Sequence, residues 1–396
     1  MSLFHVASDQ EIKKGKTTDI YFVRTKQVLE AEGLEKTPVV AEVTPGSLPE
    51  NWPWGILCGI EEVAHLLSGI PVDVYSMPEG TVVYPTDSRG FREPVIRIEG
   101  PYGDFCLYET PLLGLICQAS GIATRAARMR KVAADKRLIS FGVRRMHPAI
   151  SPMIDRAAYI GGFDAVSCLI GAEAIGAEPV GTMPHALIIA FGDQVKAWKA
   201  FDSTIEKRVP RVALIDTYLD EKIEAIMAAE ALKNLEAVRV DTPSSRKGEF
   251  AEIVREVRWE LDLRGYGRIK IFVSGGLDED SVTHLSNAGA DAFGVGTYIS
   301  NSPTVNFALD IVELNGKPCA KRGKLGGRKE VWRCQKCLTD LVLPYSAVKP
   351  ECPKCGGRTE RMLRPLIKKG KTVAKLPRPR EIRRHVLKQL EKLSIE

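Results

Sequence analysis

The sequence predicts an α/β protein built around an incomplete or irregular (β/α) barrel, and three observations carry that expectation. Seven short apolar runs alternate with segments of helical period between Leu138 and Ser300. A strand-rich stretch broken by proline and glycine turns precedes them, and two closely spaced cysteine pairs follow. Strictly alternating strands and helices imply a parallel sheet, and seven units within ~160 residues favour closure over an open sheet. The 396 residues exceed what one hydrophobic core serves, so further domains are expected on either side.

Taken in order, residues 1–110 read as an α+β domain. Its strand candidates are Val72–Tyr75, Thr81–Tyr84, Val95–Glu99 and Asp104–Leu107, with turns at Pro78 and at Gly100-Pro101. A linking helix over 109–134 leads into the barrel-like domain, residues 135–315. The barrel runs are Leu138–Phe141, Ala165–Ser167, Val180–Met183, Val212–Asp216, Ala237–Asp241, Ile269–Val273 and Ala292–Val295. A glycine- and lysine-rich connector occupies 316–330, a cysteine module 331–363, and a basic tail 364–396. The tail ends in an amphipathic helix over Arg380–Leu393, with Ile382, Val386, Leu390 and Leu393 on one face behind Pro377 and Pro379.

The 44% hydrophobic and 27% charged composition is that of a globular protein. With no apolar run of membrane-spanning length and no signal-peptide pattern at the N-terminus, a cytoplasmic location is expected and no membrane partner. Of nine cysteines, five are scattered and four are paired as Cys334/Cys337 and Cys352/Cys355. Two such pairs supply four thiolates to one tetrahedral ion, which predicts a structural zinc ribbon rather than disulfides. The net charge of +6 conceals an asymmetry: residues from Gly316 onward carry +16 and the first 315 carry −10. Such a tail suits either nucleic acid or a solvated surface that contacts another subunit.

In a parallel α/β fold the loops after the strands hold the site. Here those loops are polar: Arg144, Arg145 and His147 follow the first run, Asp164 adjoins the second, and His185 follows the third. Asp216, then Arg239 and Asp241, end the next two. Ser274, Gly275 and Gly276 close the sixth run, and Gly294, Gly296 and Thr297 lie in and after the seventh. Paired glycines between a strand and a helix let backbone N–H groups approach a phosphate, and two such turns on neighbouring last strands form a barrel phosphate site. With Arg144, Arg145 and Arg239 they predict an anionic substrate, and Asp216 and Asp241 would hold Mg²⁺ or sugar hydroxyls. His185 is open to three readings: base, phosphoryl acceptor or hydrogen-bonded packing group. Neither Gly15–Thr17 nor Gly370–Thr372 completes a P-loop, because Gln10 and Pro365 stand where its first glycine belongs.

Over about residues 15–330 these segments, with Thr18–Tyr21, Phe141–Arg145, Gly161–Asp164, Gly181–His185, Asp216–Tyr218, Arg239–Asp241, Ser274–Asp278 and Gly294–Thr297, resemble the nicotinate and nicotinamide phosphoribosyltransferase family. The resemblance implies transfer of phosphoribose from phosphoribosyl pyrophosphate to nicotinate, forming a nucleotide for NAD biosynthesis. It implies that Arg145 contacts the carboxylate side of the pyridine ring, that Arg144 and Asp164 also belong to the nicotinate site, and that Tyr21 reaches the active site of a neighbouring subunit in a homo-oligomer. It implies that the glycine turns hold the 5-phosphate, and that Arg239, Asp241 and Asp216 serve the ribose and pyrophosphate. His185 would be the position phosphorylated by ATP, which couples ATP hydrolysis to product formation. The chain departs from the family at Pro184 and Ala186 around that histidine, and at Thr242–Ser244 after Asp241. From their charge and flexible setting alone, Lys321 and Lys324 of the connector are expected to close over pyrophosphate. Two enzyme alternatives are quinolinate or nicotinamide phosphoribosyl transfer, and a nucleic-acid-binding zinc-ribbon protein is the alternative of another class.

Overall fold

Six of the seven apolar runs are strands of one parallel sheet in the computed structural model, which describes residues 4–241 and 248–395. They are β1 (Arg137–Ser140), β2 (Ala165–Val166), β3 (Val212–Leu214), β4 (Ala237–Val240), β5 (Lys270–Ser274) and β6 (Ala292–Val295). The sheet order is β2-β1-β6-β5-β4-β3, with Phe272 of β5 paired to Arg239 on one side and Ala292 on the other. Helices between the strands turn an apolar stripe to the sheet. Phe250–Leu263, for example, buries Ala251, Val254, Val257 and Leu261 at helical spacing.

The run Val180–Met183 was expected to be a strand and is not one. Its Val180 N–H donates to the Val166 carbonyl at 2.9 Å, but the next acceptors turn elsewhere: the Thr182 hydroxyl and Met183 carbonyl accept from the Arg239 guanidinium of β4. The segment after β2 thus meets a side chain of β4 instead of joining a ladder, and β2 and β3 remain the two edges of a six-stranded, incomplete barrel. Inside it Ile139, Ala165 and Phe272 form a small apolar cluster. A cavity of about 720 Å³ opens toward the amino ends of the strands, lined in part by Asp135, Arg137, Arg268 and Lys270.

That sheet belongs to the compact unit Arg128–Asn301; Met1–Ala127 and Ser302–Glu396 together form the other. The second unit centres on an antiparallel sheet in which Pro38–Pro45 lies between Phe307–Leu314 and Ile96–Pro101, followed by Asp73–Ser76 and Arg364–Lys368. The barrel domain was expected to run to residue 315, and the tail to stand apart. Instead Phe307–Leu314 registers against Val39–Pro45, and Arg364–Lys368 adds to the far side of the same sheet. Asp104–Leu107, read as a strand, is helical: Phe105 and Cys106 are both buried, which alternating strand side chains do not allow on a half-covered sheet. Gly103 makes room for that turn, since a Cβ there would sit 2.6 Å from the Glu35 carbonyl oxygen. The linking helix Glu109–Ala133 is long and apolar enough to cross a bilayer, but half of the apolar window is buried, with Leu112 and Ile116 in the core of this unit. The terminal helix spans Pro379–Leu390 and buries Ile382, Val386 and Leu390, as its periodicity predicts.

Charge asymmetry along the chain has a structural counterpart within this unit. Basic tail residues pair with acids from the first 315 residues: Lys321 and Lys324 with Asp310, Arg328 with Glu99 and Glu313, Lys329 with Glu42, and Lys368 with Asp73. The lysines expected to reach pyrophosphate are thus engaged by a carboxylate of their own unit. Glu42 is buried and accepts from both the backbone N–H and the Nζ of Lys329, which anchors the start of the cysteine module to the central strand.

That module is a three-stranded antiparallel sheet, Asp340–Pro344, Lys329–Cys334 and Thr359–Arg361. Its four Sγ atoms lie within 4.8 Å of one another, with Cys334–Cys355 at 3.5 Å and Cys337–Cys352 at 3.6 Å. A disulfide needs about 2.05 Å, whereas a tetrahedron with Zn–S bonds of about 2.3 Å has edges of about 3.8 Å. The four thiols therefore fit one tetrahedral ion. Gly357 keeps the space open, because a Cβ would fall 2.9 Å from the Cys334 sulfur.

Candidate active site

The carboxyl ends of β3, β4 and β5 bring together four of the residues singled out from the sequence. Arg239 is the hub. Its Nε donates to the Ser274 hydroxyl at 2.9 Å, its Nη1 to the Thr182 hydroxyl at 2.8 Å, and its Nη2 to the Asp241 carboxylate at 2.6 Å. The Ser274 hydroxyl donates onward to the other Asp241 oxygen at 2.9 Å. Behind Asp241, the Asp216 carboxylate accepts the Asp241 backbone N–H at 2.8 Å. Asp216 is only 3% exposed, and burial raises its pKa while that N–H bond opposes the rise. One guanidinium thus fixes two strand ends and orients a carboxylate that remains partly open to solvent.

His185 begins the helix His185–Phe191, directly after the segment that bridges the gap in the sheet. Its Nδ1 is 3.1 Å from the Thr217 hydroxyl, and its Nε2 lies 3.6 Å from Asp216 and 4.0 Å from Asp241. The ring is 37% exposed, so one edge meets two carboxylates and part of it meets solvent. The loop after β3 is held open by Glu224, whose carboxylate accepts the N–H groups of Tyr218 and Leu219 at 2.9 and 2.8 Å.

At the end of β5, Gly275 and Gly276 have φ of +101° and +65°, consecutive left-handed residues that turn their backbone N–H groups into a concave nest. No atom lies within 4 Å of a Cβ built on Gly276, so that side of the turn is open. Gly275 faces Asp241, whose carboxylate oxygen would be 3.2 Å from its Cβ. Gly294, expected to bind phosphate, sits inside β6, where a Cβ would strike the Phe141 ring at 2.4 Å. Its glycine is required by packing. Gly296 and Thr297 follow β6 and start the short helix Thr297–Ser300.

Arg144 and Arg145 lie exposed in a 3₁₀ turn, Val143–Arg145, after β1. Neither side chain makes a hydrogen bond or ion pair among the described residues. Phe141, at the start of that loop, lies under the Arg239 guanidinium at 5.6 Å and beside Phe272 at 5.9 Å. One other expectation is corrected. Asp164 lies at the amino end of β2, where it accepts the Leu138 N–H at 2.9 Å and pairs with Arg130, so it braces the opposite end of the sheet. His147 accepts the Ala149 N–H as a helix cap. Tyr21 belongs to the other unit, on the helix Ile20–Ala31, and is 56% exposed. Thr242–Ser244 lies outside the described residues.

Sequence reasoning did not single out Thr182, Thr217 or Glu224 for the site. Glu224 carried a signal, an acid inside the otherwise apolar stretch Ile223–Met227; the two threonines carried none, since hydroxyls after strands are common.

Residues 122–310 match the C-terminal domain of quinolinate phosphoribosyl transferase, and residues 19–120 match its N-terminal domain. The chain belongs to the quinolinate phosphoribosyltransferase family. As a member it is a phosphoribosyltransferase acting on small molecules. It is 57% identical to a solved nicotinate-nucleotide pyrophosphorylase from Pyrococcus furiosus, with 99% of each chain covered and a TM-score of 0.95. That coverage takes in the cysteine module and tail. A nicotinate phosphoribosyltransferase of Mycobacterium tuberculosis, pncB1, is 29% identical over 402 residues, 92% of this chain and 88% of that protein. The human nicotinic acid phosphoribosyltransferase structure, 20% identical with a TM-score of 0.74 over 95% of this chain and 94% of that one, shares the fold.

Proposed function

We propose that the protein joins nicotinate to phosphoribosyl pyrophosphate, giving nicotinate mononucleotide and pyrophosphate for NAD biosynthesis. The observation that carries this reading is the Arg239, Asp241 and Ser274 network beside the open Gly275–Gly276 nest, at the same end of the sheet as the loop bearing Arg144 and Arg145, with β6 between them. In the reaction the bond from C1′ to the pyrophosphate oxygen breaks, its electron pair leaves with pyrophosphate, and the pyridine nitrogen bonds C1′. Gly275, Gly276, Gly296 and Thr297 hold the 5-phosphate through backbone and hydroxyl donors, and Ser274, bonded to Asp241 and Arg239, fixes the start of the phosphate turn. Arg145, with Arg144, pairs the pyridine carboxylate, and the Phe141 ring lines the pyridine's approach. Asp241, backed by Asp216, would hold Mg²⁺ together with substrate oxygens, supplying charge neutralisation to the departing pyrophosphate. Positioning and electrostatics suffice, without a covalent sugar intermediate.

His185 extends the reading to ATP coupling. Its ring accepts the γ-phosphoryl group of ATP, forming an N–P bond as the bond to ADP breaks, and water later takes the phosphoryl group. Zn²⁺ would be held by Cys334, Cys337, Cys352 and Cys355 and would stabilise the fold. A homo-oligomer fits the exposed Tyr21 and the exposed Leu169, Ile170, Ile189, Phe191 and Tyr218, which lie on loops and helices after β2 and β3.

A second reading, quinolinate phosphoribosyl transfer, is favoured by the family's description and by the name of the 57%-identical structure. It would lose one carboxyl as CO₂ per turnover. Against it, the second carboxylate would find few cations, since Arg239 is already bound on all three nitrogens.

The deciding experiment offers nicotinate, nicotinamide and quinolinate with phosphoribosyl pyrophosphate and Mg²⁺, with and without ATP, and follows pyrophosphate. Turnover is expected with nicotinate alone, and ATP should leave an acid-labile phosphate on the wild type that His185→Ala lacks. Arg145→Ala should raise KM for nicotinate by about 10²-fold, the scale of a lost charge-assisted pair. Turnover of quinolinate with CO₂ release would transfer the chain to the second reading. Gly275→Ala forces a side chain into left-handed backbone against Asp241, and KM for phosphoribosyl pyrophosphate should rise by roughly tenfold or more.

A further inference from the structure

Asp155 lies outside the chemistry described above, yet its side chain joins three segments of the barrel unit. It sits in the helix Ser151–Gly161 and is fully buried. Its carboxylate accepts the Ser140 hydroxyl at 2.7 Å, while its other oxygen is buried without a hydrogen-bond partner among the described residues and faces the start of the helix Leu169–Ile175. Gly171 on that helix is pressed against it, because a Cβ there would lie 2.2 Å from Asp155 Oδ2. Burial pushes the Asp155 carboxyl up to about 6, opposed by the Ser140 hydroxyl and, more weakly, by the nearby Cys168 backbone N–H. A group this costly to bury, with the neighbouring helix trimmed to glycine around it, is held in one geometry.

What that geometry fixes is a loop. Ser140 is the last residue of β1, and Ser151 opens the helix that carries Asp155. Between them run the ten residues 141–150, two 3₁₀ turns that include Phe141, Arg144, Arg145 and His147. The loop departs from the residue that donates the hydrogen bond and returns into the helix that accepts it. Elsewhere it is tied only lightly. The Phe141 N–H donates to Val295, and Gly142 packs on Ser300 and the Gly296 carbonyl, but Arg144 and Arg145 are exposed. The Ser140–Asp155 bond therefore closes the base of the loop, and the direction in which its arginines leave the sheet depends on that closure.

We propose that Asp155, acting through Ser140, is a positioning residue for the pyridine-acid loop, setting affinity for the aromatic carboxylate without touching it. The proposal rests on the reading that Arg144 and Arg145 meet that carboxylate. Its mild test is Ser140→Ala, which deletes one hydroxyl and leaves Asp155 in place; Asp155→Ala is the stronger variant. Ser140→Ala should raise KM for nicotinate by roughly tenfold, about 1.4 kcal/mol and the scale of one buried hydrogen bond, with kcat and KM for phosphoribosyl pyrophosphate within about twofold. Amide exchange over residues 141–150 should quicken in the same variant, measured without substrate, while exchange over β5 and the Gly275–Gly276 turn stays as in the wild type.

Each arm has its own meaning. Faster loop exchange with a selective rise in the pyridine KM supports the proposal. Unchanged loop exchange in both Ser140→Ala and Asp155→Ala overturns it, as does an equal rise in KM for both substrates. If the wild type turns over no pyridine acid, the functional reading has failed, and the exchange measurement alone still decides whether Asp155 orders the loop.

Discussion

Replacing Arg239 with alanine should lower kcat/KM by about 10³-fold or more, ~4 kcal/mol of transition-state stabilisation. The size follows from what the guanidinium does at once: it bonds Ser274, Thr182 and Asp241, lies over Phe141, and ties the segment after β2 to the ends of β4 and β5. Removing it leaves the Asp241 and Asp216 carboxylates adjacent with no arginine between strand ends, and leaves the hydroxyls of Ser274 and Thr182 to find new partners. Arg239→Lys restores a charge but only one donor direction, and should recover no more than about tenfold of the loss. The check is steady-state kinetics on protein whose circular dichroism and melting midpoint match the wild type. A folded Arg239→Ala enzyme within fivefold of normal kcat/KM would sink the assignment of Arg239 as hub.

The second large effect concerns stability. One Zn²⁺ per chain is expected by elemental analysis, and Cys337→Ser should abolish it and lower the melting midpoint by roughly 10 °C, a few kcal/mol for a protein of this size. The loss should spread beyond the module because its strands are wired into neighbouring segments of the same unit. Arg333, next to Cys334, is buried; it pairs with Asp340 and donates to the Val82 carbonyl at 2.7 Å. Gln389 of the terminal helix bonds Val82 and Gly80 from the other side. Below the new midpoint, turnover should stay within twofold, since the four cysteines and the strand-end site belong to different compact units. A metal-free wild type with the same midpoint would remove the structural role of the ion.

The legible parts were those in which one residue type can do only one thing nearby. Gly275 and Gly276 after an apolar run indicate a turn with left-handed backbone, and both have positive φ. Cys334, Cys337, Cys352 and Cys355 converge as their spacing requires. The terminal helix buries the face its period selects. Asp164 misled because it stands beside a strand, and composition does not say which end of a strand a carboxylate braces. Gly294 misled for a similar reason: a glycine needed to clear the Phe141 ring looks, in one dimension, like a glycine left open for phosphate.

The run Val180–Met183 shows where local pattern runs out. Its apolar period suits a strand, but strand formation needs a partner on each ladder position, and Arg239, 56 residues onward, takes the acceptors. The +16 tail is a second case. As a string it resembles a polyanion-binding arm; folded, five of its cations face carboxylates of the first 315 residues.

Read alone, the chain determined the alternation that makes a parallel sheet, the polar residues at its strand ends, and a tetrahedral thiol set, because each depends on spacing over a few neighbours. Only tertiary structure decided that residues 302–396 return to the N-terminal unit, that the barrel stays open beside β2, and that Asp155 anchors the arginine loop. Those outcomes depend on hydrogen-bond partners and packing volumes contributed by residues far away in the chain, and periodicity carries no information about them.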